Sequence, residues 1–253
     1  KMADRRTLIR RVFLDLTGLP PTADDVDRFV NDRDRFAFDH VVDRLLASPD
    51  FGERMSVYWL DLVRYADTVG YHGDQDYSVW PYRDYVINAF NQNMSFDQFT
   101  REQLAGDLLA GSNRDQKVAS GYNRLHMITA EGGAQDKEYL AKYAADRVRT
   151  TSSVWLGSTM GCAECHDHKF DPFTTKDFYS FAAFFSDLKE RGFYGGNRWE
   201  PQLPLPTPKQ GGTMEGLNAK VALLESSLTT STEALVNGQF DWEDHMLRED
   251  ENG

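Results

Sequence analysis

Apolar residues recur at three- and four-residue spacing almost from one end of this chain to the other, and that period most constrains its fold. Leu8, Ile9, Val12, Phe13 and Leu16 share one helical face, Phe38, Val41, Val42, Leu45 and Leu46 a second, and Met55, Tyr58, Trp59, Leu62, Val63 and Ala66 a third. Strict alternation, the signature of a half-buried strand, is almost absent. The spacing predicts a mostly α, irregular multi-helix domain with long loops, and not a sheet protein.

Local signals place the breaks. "TGLPP" stops the first helix. Thr22 with Asp25 at the third helical position forms a variant capping box, opening a short helix to about Asn31, and Ser48 followed by Pro49 caps another. "TVGYHGDQDYSVWP" reads as a polar, aromatic loop, the kind of segment where function tends to sit. Further helices are predicted from Tyr82 to Asn93, from a Ser95 cap through Leu108, in a short piece over Val118 to Tyr122, and from Asp136 to about Leu156. Thr175 is expected to cap "KDFYSFAAFFSDL". From Arg191 the composition turns to Gly and Pro, in "GFYGG" and "PQLPLPTPKQGG". The organisation read from these signals is a domain over 1–190, a linker over 191–212, and a region over 213–253. That last region carries one amphipathic helix through Leu217, Val221, Leu224, Leu228 and Leu235. Alone it is marginal, so it is expected to begin a further domain or to dock on a partner.

A net charge of -12 argues against a nucleic-acid partner and against anionic membrane surfaces, because both require clustered Lys and Arg. The apolar runs, such as "SFAAFF", are too short to span a bilayer, and the start "KMADRRTLIRR" lacks the apolar core of a leader. The chain is expected to contain no transmembrane segment, and to be either cytosolic or stripped of a leader.

Both cysteines of the chain fall in one stretch, "GCAECHDHKFDP", from Gly161 to Pro172. Two thiols about one helical turn apart suit the two vinyl groups of a porphyrin, and the residue that follows places an imidazole under the iron. Cys162 and Cys165 are thus candidate thioether cysteines of a covalent haem c, one per chain, with His166 as the proximal iron ligand. Zinc bound by the same cysteines and a histidine is one rival, although no second Cys or His pair completes the site. A thiol–disulfide centre is another, although no strand precedes the motif. His168 lies too near His166 to reach the opposite face of the same porphyrin and reads as a supporting or solvent-facing group. Candidates for the sixth iron ligand are His126 in "NRLHMITAEGG", then its neighbour Met127, then His72; an open sixth position is the further alternative. Arg147, Arg149 and Arg64 are candidate partners of the haem propionates, because guanidinium grips carboxylate at two points. Asp74 and Asp76 in "HGDQD" offer a weak Ca²⁺ possibility against the ordinary reading of an Asp-rich turn.

The runs "RYADTVGYHGDQDYSVWPYRDYVINAFNQNMSFDQFTREQLAGDLL", "ITAEGG", "DRVRTTSSVWLGSTMGCAECHDHKFDP" and "KDFYSFAAFF" resemble the second of the planctomycete-type cytochrome-like domain families, over about residues 4 to 190. The resemblance implies an exported, periplasmic haem c module within a larger polypeptide. It places Cys162 and Cys165 on the thioether cysteines and His166 on the proximal histidine, and matches His168, Lys169, Asp171 and Pro172 to the continuation of the motif. It also places His126 where family members carry a histidine, which supports the sixth-ligand assignment. The same comparison draws attention to Trp59, Asp61, Arg64, Asp67, Glu131, Asp146 and Arg147. The leading expectation is an electron-carrying module whose partner is a redox protein or an adjacent domain. A second is a haem oxidase or peroxidase acting on a carbohydrate or small molecule, with His168, Lys169, Asp67 or Glu131 in acid–base roles. A third is a zinc-binding, glycan-binding or partner-binding module using the aromatics Tyr71, Tyr77 and Trp80.

Overall fold

The computed structural model describes residues 3–71, 73–194, 199, 202–229 and 232–250. They form an all-α protein with eleven α-helices and no strand among the described residues. The chain divides into two compact units, Lys1–Gln202 and Leu203–Gly253.

In the first unit, α1 (Arg5–Thr17) is capped by Asp4 and ends on Gly18, whose φ of 72° lies in the left-handed region that only glycine enters cheaply. The capping box of Thr22 and Asp25 opens α2 (Ala23–Asn31). With α3 (Ala37–Leu46) these helices bury Ile9, Phe13, Phe29 and Leu45 in a terminal core. Ser48 and Pro49 start α4 (Pro49–Leu62) as expected. Trp59 of α4 enters the main core beside Tyr82, Tyr85 and Val86 of α5 (Trp80–Asn91) and Phe99 of α6 (Phe96–Ala105). The buried Gln103 ties this core together, its amide oxygen accepting from the Trp59 indole at 2.9 Å and the Tyr82 hydroxyl at 2.5 Å.

The helix predicted to run from Ser95 through Leu108 is α-helical only to Ala105 and then tightens to a 3-10 turn, Gly106–Leu108. Gly106 packs against the carbonyl of Gln116 in α7 (Arg114–Ala119), so closely that a side chain there has no room. The long helix α8 (Asp136–Leu156) has the predicted bounds and stops at Gly157 in the left-handed region. A 3-10 turn, Met160–Glu164, then carries the cysteines, and α9 (Thr175–Ala183) follows. Its cap is Thr174 rather than Thr175: the Thr174 hydroxyl accepts from the Asp177 amide and Asp177 returns a bond to the Thr174 amide.

The polar loop between α4 and α5 is held by backbone pairs, Thr68 with Asp76 and Gly70 with Ile128. The Gly- and Pro-rich stretch predicted as a linker over 191–212 begins with packed residues. Tyr194 and Trp199 are 1 % and 4 % exposed and pack on Val69 and Ile128, because aromatic side chains among the glycines find an apolar seat that composition does not reveal. Among its described residues the second unit holds two helices rather than one, α10 (Pro208–Thr229) and α11 (Glu233–Asp250). Among the described residues no helix is long and apolar enough to cross a membrane.

Candidate haem attachment site

The cysteine turn is built from its buried side outward. Met160 and Ala163 are buried against Ala145 and Val148 of α8 and Phe178 of α9, which leaves the alternate residues Cys162 and Cys165 exposed with free thiols. The Cys162 carbonyl accepts from the amides of both Cys165 and His166 at 3.3 Å, so the three residues sit on one tight turn. Helix α9 clamps it from the other side, the Tyr179 hydroxyl donating to the Glu164 carbonyl at 3.1 Å and the Thr175 amide to the Asp167 carboxylate at 2.8 Å.

His166 is exposed, and its Nδ1 lies 2.8 Å from the Asp167 carbonyl. A carbonyl can only accept, so Nδ1 carries the proton and Nε2 presents its lone pair outward, the orientation a metal-ligating imidazole needs. His168 does something else. Its Nδ1 accepts from the amides of Asp171 and Phe170 at 2.9 and 3.3 Å, and its own amide donates to the Phe173 carbonyl at 2.8 Å. The ring therefore holds the "HKFDP" turn in shape.

The three arginines already hold carboxylates. Arg64 occupies a left-handed position (φ 59°) at the end of α4, where glycine is the usual residue and any other costs about 1–2 kcal/mol. From there it grips Asp146 of α8 at 2.7 and 2.5 Å and also reaches Thr150. Arg149 pairs with Glu164 of the cysteine motif and lies along Gly161. Arg147 is buried, and grips Glu190 at 2.7 and 2.5 Å while donating to the Asn123 carbonyl at 2.7 Å.

His126 belongs to the Arg147 cluster. Its ring stacks on Tyr143 at 4.2 Å between centroids, Nδ1 lies 3.0 Å from the Met127 carbonyl, and Nε2 lies 2.8 Å from Arg147 Nη2 and 3.1 Å from Glu190 Oε2. The carbonyl only accepts and the guanidinium only donates, so the neutral Nδ1–H tautomer satisfies both. Burial favours that neutral form and lowers the His126 pKa, against the opposing pull of Glu190. Burial also pushes the Glu190 carboxyl up, but the Arg147 guanidinium that grips both of its oxygens outweighs it and holds the group at about 2. Met127 is half exposed, its side chain near Gly70. His72 lies outside the described residues.

The loop aromatics are used in packing. Tyr71 meets Tyr139 edge-on at 5.4 Å, and Tyr77 meets Trp199 at 5.8 Å, whose indole donates to the Asp76 carbonyl. Trp80 is half exposed on the rim of a polar groove of about 410 Å³ floored by Glu102, which accepts from Tyr85, Gln98 and Gln116. Asp67 accepts from the Tyr65 hydroxyl, while Asp61, Asp74 and Glu131 are exposed. Among the described residues no three His, Cys, Asp or Glu side chains gather in a way that could hold a metal ion by themselves.

Sequence reasoning missed Glu190, the centre of the buried cluster, which lies 64 residues from His126 and 43 from Arg147. The signal available was the second of two acidic residues in "DLKERGF", at the very edge of the predicted linker.

No curated protein and no solved structure matches the chain. Residues 1–190 match the family PSCyt2, described as "Protein of unknown function (DUF1549)". That match covers three quarters of the sequence, and the chain belongs to this family of cytochrome-like domains.

Proposed function

We propose that the first unit is a c-type haem-attachment domain that carries electrons within a larger exported, periplasmic protein, with a redox protein or an adjacent domain as partner. The observation that carries this reading is the state of the three motif residues. Two free thiols stand exposed on a turn backed by a packed core, and the His166 ring has its Nδ1 tied to a carbonyl with Nε2 left open. Thioether attachment needs that accessibility, and iron ligation needs that tautomer. Tetrahedral zinc would instead require both thiolates and an imidazole to converge on one point, and they do not converge.

A bound haem would supply a one-electron couple; the chain's part is to hold and shield it. Cys162 and Cys165 would anchor the macrocycle, and His166 would ligate the iron. Arg149 is the propionate partner this reading favours, since it lies along Gly161 and can exchange Glu164 for a propionate at small cost on a half-exposed surface. Arg64 and Arg147 stay with Asp146 and Glu190. His126 stays in the buried cluster as well, because turning Nε2 to iron would strip a buried guanidinium of an acceptor.

The test is expression of the full chain together with a c-type maturation system. The expected result is a pyridine haemochrome spectrum of the c type, an intact mass raised by one haem, and loss of both in Cys162→Ala with Cys165→Ala. In His166→Ala the haem stays attached but the iron changes spin state. Protein that carries stoichiometric zinc and no haem would sink the reading.

A further inference from the structure

Helix α10 carries a heptad stripe. Met214, Leu217, Val221, Leu224 and Leu228 fall at alternating spacings of three and four residues, with Met214, Val221 and Leu228 at a positions and Leu217 and Leu224 at d. The stripe rises about 21 Å along the helix. All five side chains are open, from 44 % exposed at Met214 to 83 % at Leu228. Helix α11 does not cover them, and it exposes apolar residues of its own at Leu235, Phe240, Trp242 and Met246.

We propose that α10 pairs with α10 of a second copy of this chain as a parallel two-stranded coiled coil. Charge decides the occupant and the orientation. In this register Lys220 stands at g and Glu225 at e of the next heptad. In a parallel pair those two positions flank the core of the opposite helix, so Lys220 of each copy meets Glu225 of the other, twice by symmetry. An antiparallel pair sets g against g and e against e, so Lys220 meets Lys, Ser or Thr and Glu225 meets Asn218 or itself. The core residues agree, with β-branched Val221 at the central a position and leucine at both d positions, the pattern that favours two parallel strands. The remaining g and e residues of the stripe, Thr213, Asn218 and Ser227, are uncharged and oppose nothing.

Sedimentation equilibrium of the full chain, from low micromolar to several hundred micromolar, tests the proposal. The expected result is a reversible monomer–dimer equilibrium. Leu224→Lys places a charge at the core and gives a monomer at every concentration, with the near-UV circular dichroism of the first unit unchanged. Lys220→Glu sets like charges against each other at two symmetric places and weakens association about tenfold. Adding Glu225→Lys to it restores the original affinity. A chain that is monomeric throughout, as it would be were α11 to fold back over the stripe in solution, overturns the proposal. So does a dimer that survives Leu224→Lys, and a charge swap that fails to restore association overturns the parallel register.

Discussion

Replacing Glu190 by Gln tests whether the buried cluster holds the segment after α9 in place. The substitution keeps shape and one acceptor oxygen but removes the charge facing Arg147, and both side chains are 4 % exposed, so solvent screens little of the loss. Lowering the carboxyl from its ordinary 4.5 to about 2 corresponds to about 3 kcal/mol of preferential stabilisation of the ionised form. Stranding the guanidinium costs a similar amount, about 3–5 kcal/mol for a buried pair broken on one side. With a urea dependence of about 2–3 kcal/mol/M for a unit of this size, the midpoint followed by circular dichroism falls by about 1 M at pH 7. The sign of the pH dependence follows from the direction of the shift. The folded-state pKa is depressed, so the stabilisation is complete above pH 4.5 and is lost as pH falls toward 2. Gln mimics the protonated acid, so the gap between wild type and variant should close across that window. A gap below about 0.5 kcal/mol at pH 7, or one that stays constant down to pH 2, would refute the argument that the charge pair carries the energy.

The neighbouring histidine titrates in a different window. His126 is depressed below 6.5 chiefly by burial, so the unfolded chain takes up its proton first and stability begins to fall below pH 6.5, two units above the Glu190 step. Urea midpoints should therefore decline between pH 7 and pH 5 in wild type and in Glu190→Gln alike, and a flat profile there would remove His126 from the account. Gly192→Ala reports on the same segment from its other end. A side chain at Gly192 overlaps the Asp136 carbonyl, and the Gly192 and Phe193 amides then lose Asp136 Oδ1. The expected outcome is about 2 kcal/mol or more of destabilisation and a red-shifted Trp199 emission that Trp199→Phe abolishes.

What was legible in the sequence was what short-range chemistry decides. The capping box at Thr22, the Ser48–Pro49 start and the bounds of α8 depend on side chains within four residues of the backbone they serve. The two histidines of the cysteine motif differ in their contacts, His166 Nδ1 meeting the Asp167 carbonyl and His168 Nδ1 the amides of Asp171 and Phe170. The seat of Tyr194 and Trp199 was hidden because Gly and Pro mark them as loop while their burial depends on Val69 and Ile128, distant in sequence. The Glu190 cluster was hidden for the same reason, since nothing local distinguishes an acid that will meet a buried guanidinium from one that will meet water.

Arg147 and Arg149 show how one helix settles what the sequence leaves equivalent. Both are arginines in "DRVRTT" and both suit a propionate, but two residues along an α-helix turn the side chain by about 200°, so they leave on opposite faces. Arg147 points into the core, to Glu190 and the Asn123 carbonyl, and Arg149 points to the cysteine turn and Glu164. The division has an energetic basis. Withdrawing Arg147 from its partners would leave buried charge uncompensated, whereas releasing the half-exposed Arg149 from Glu164 would cost on the scale of a surface ion pair, under about 1 kcal/mol. Of the two, Arg149 is the one whose carboxylate partner lies in the cysteine motif, and α8 delivers it there because the same helix ends at Gly157 and hands the chain directly to the cysteine turn.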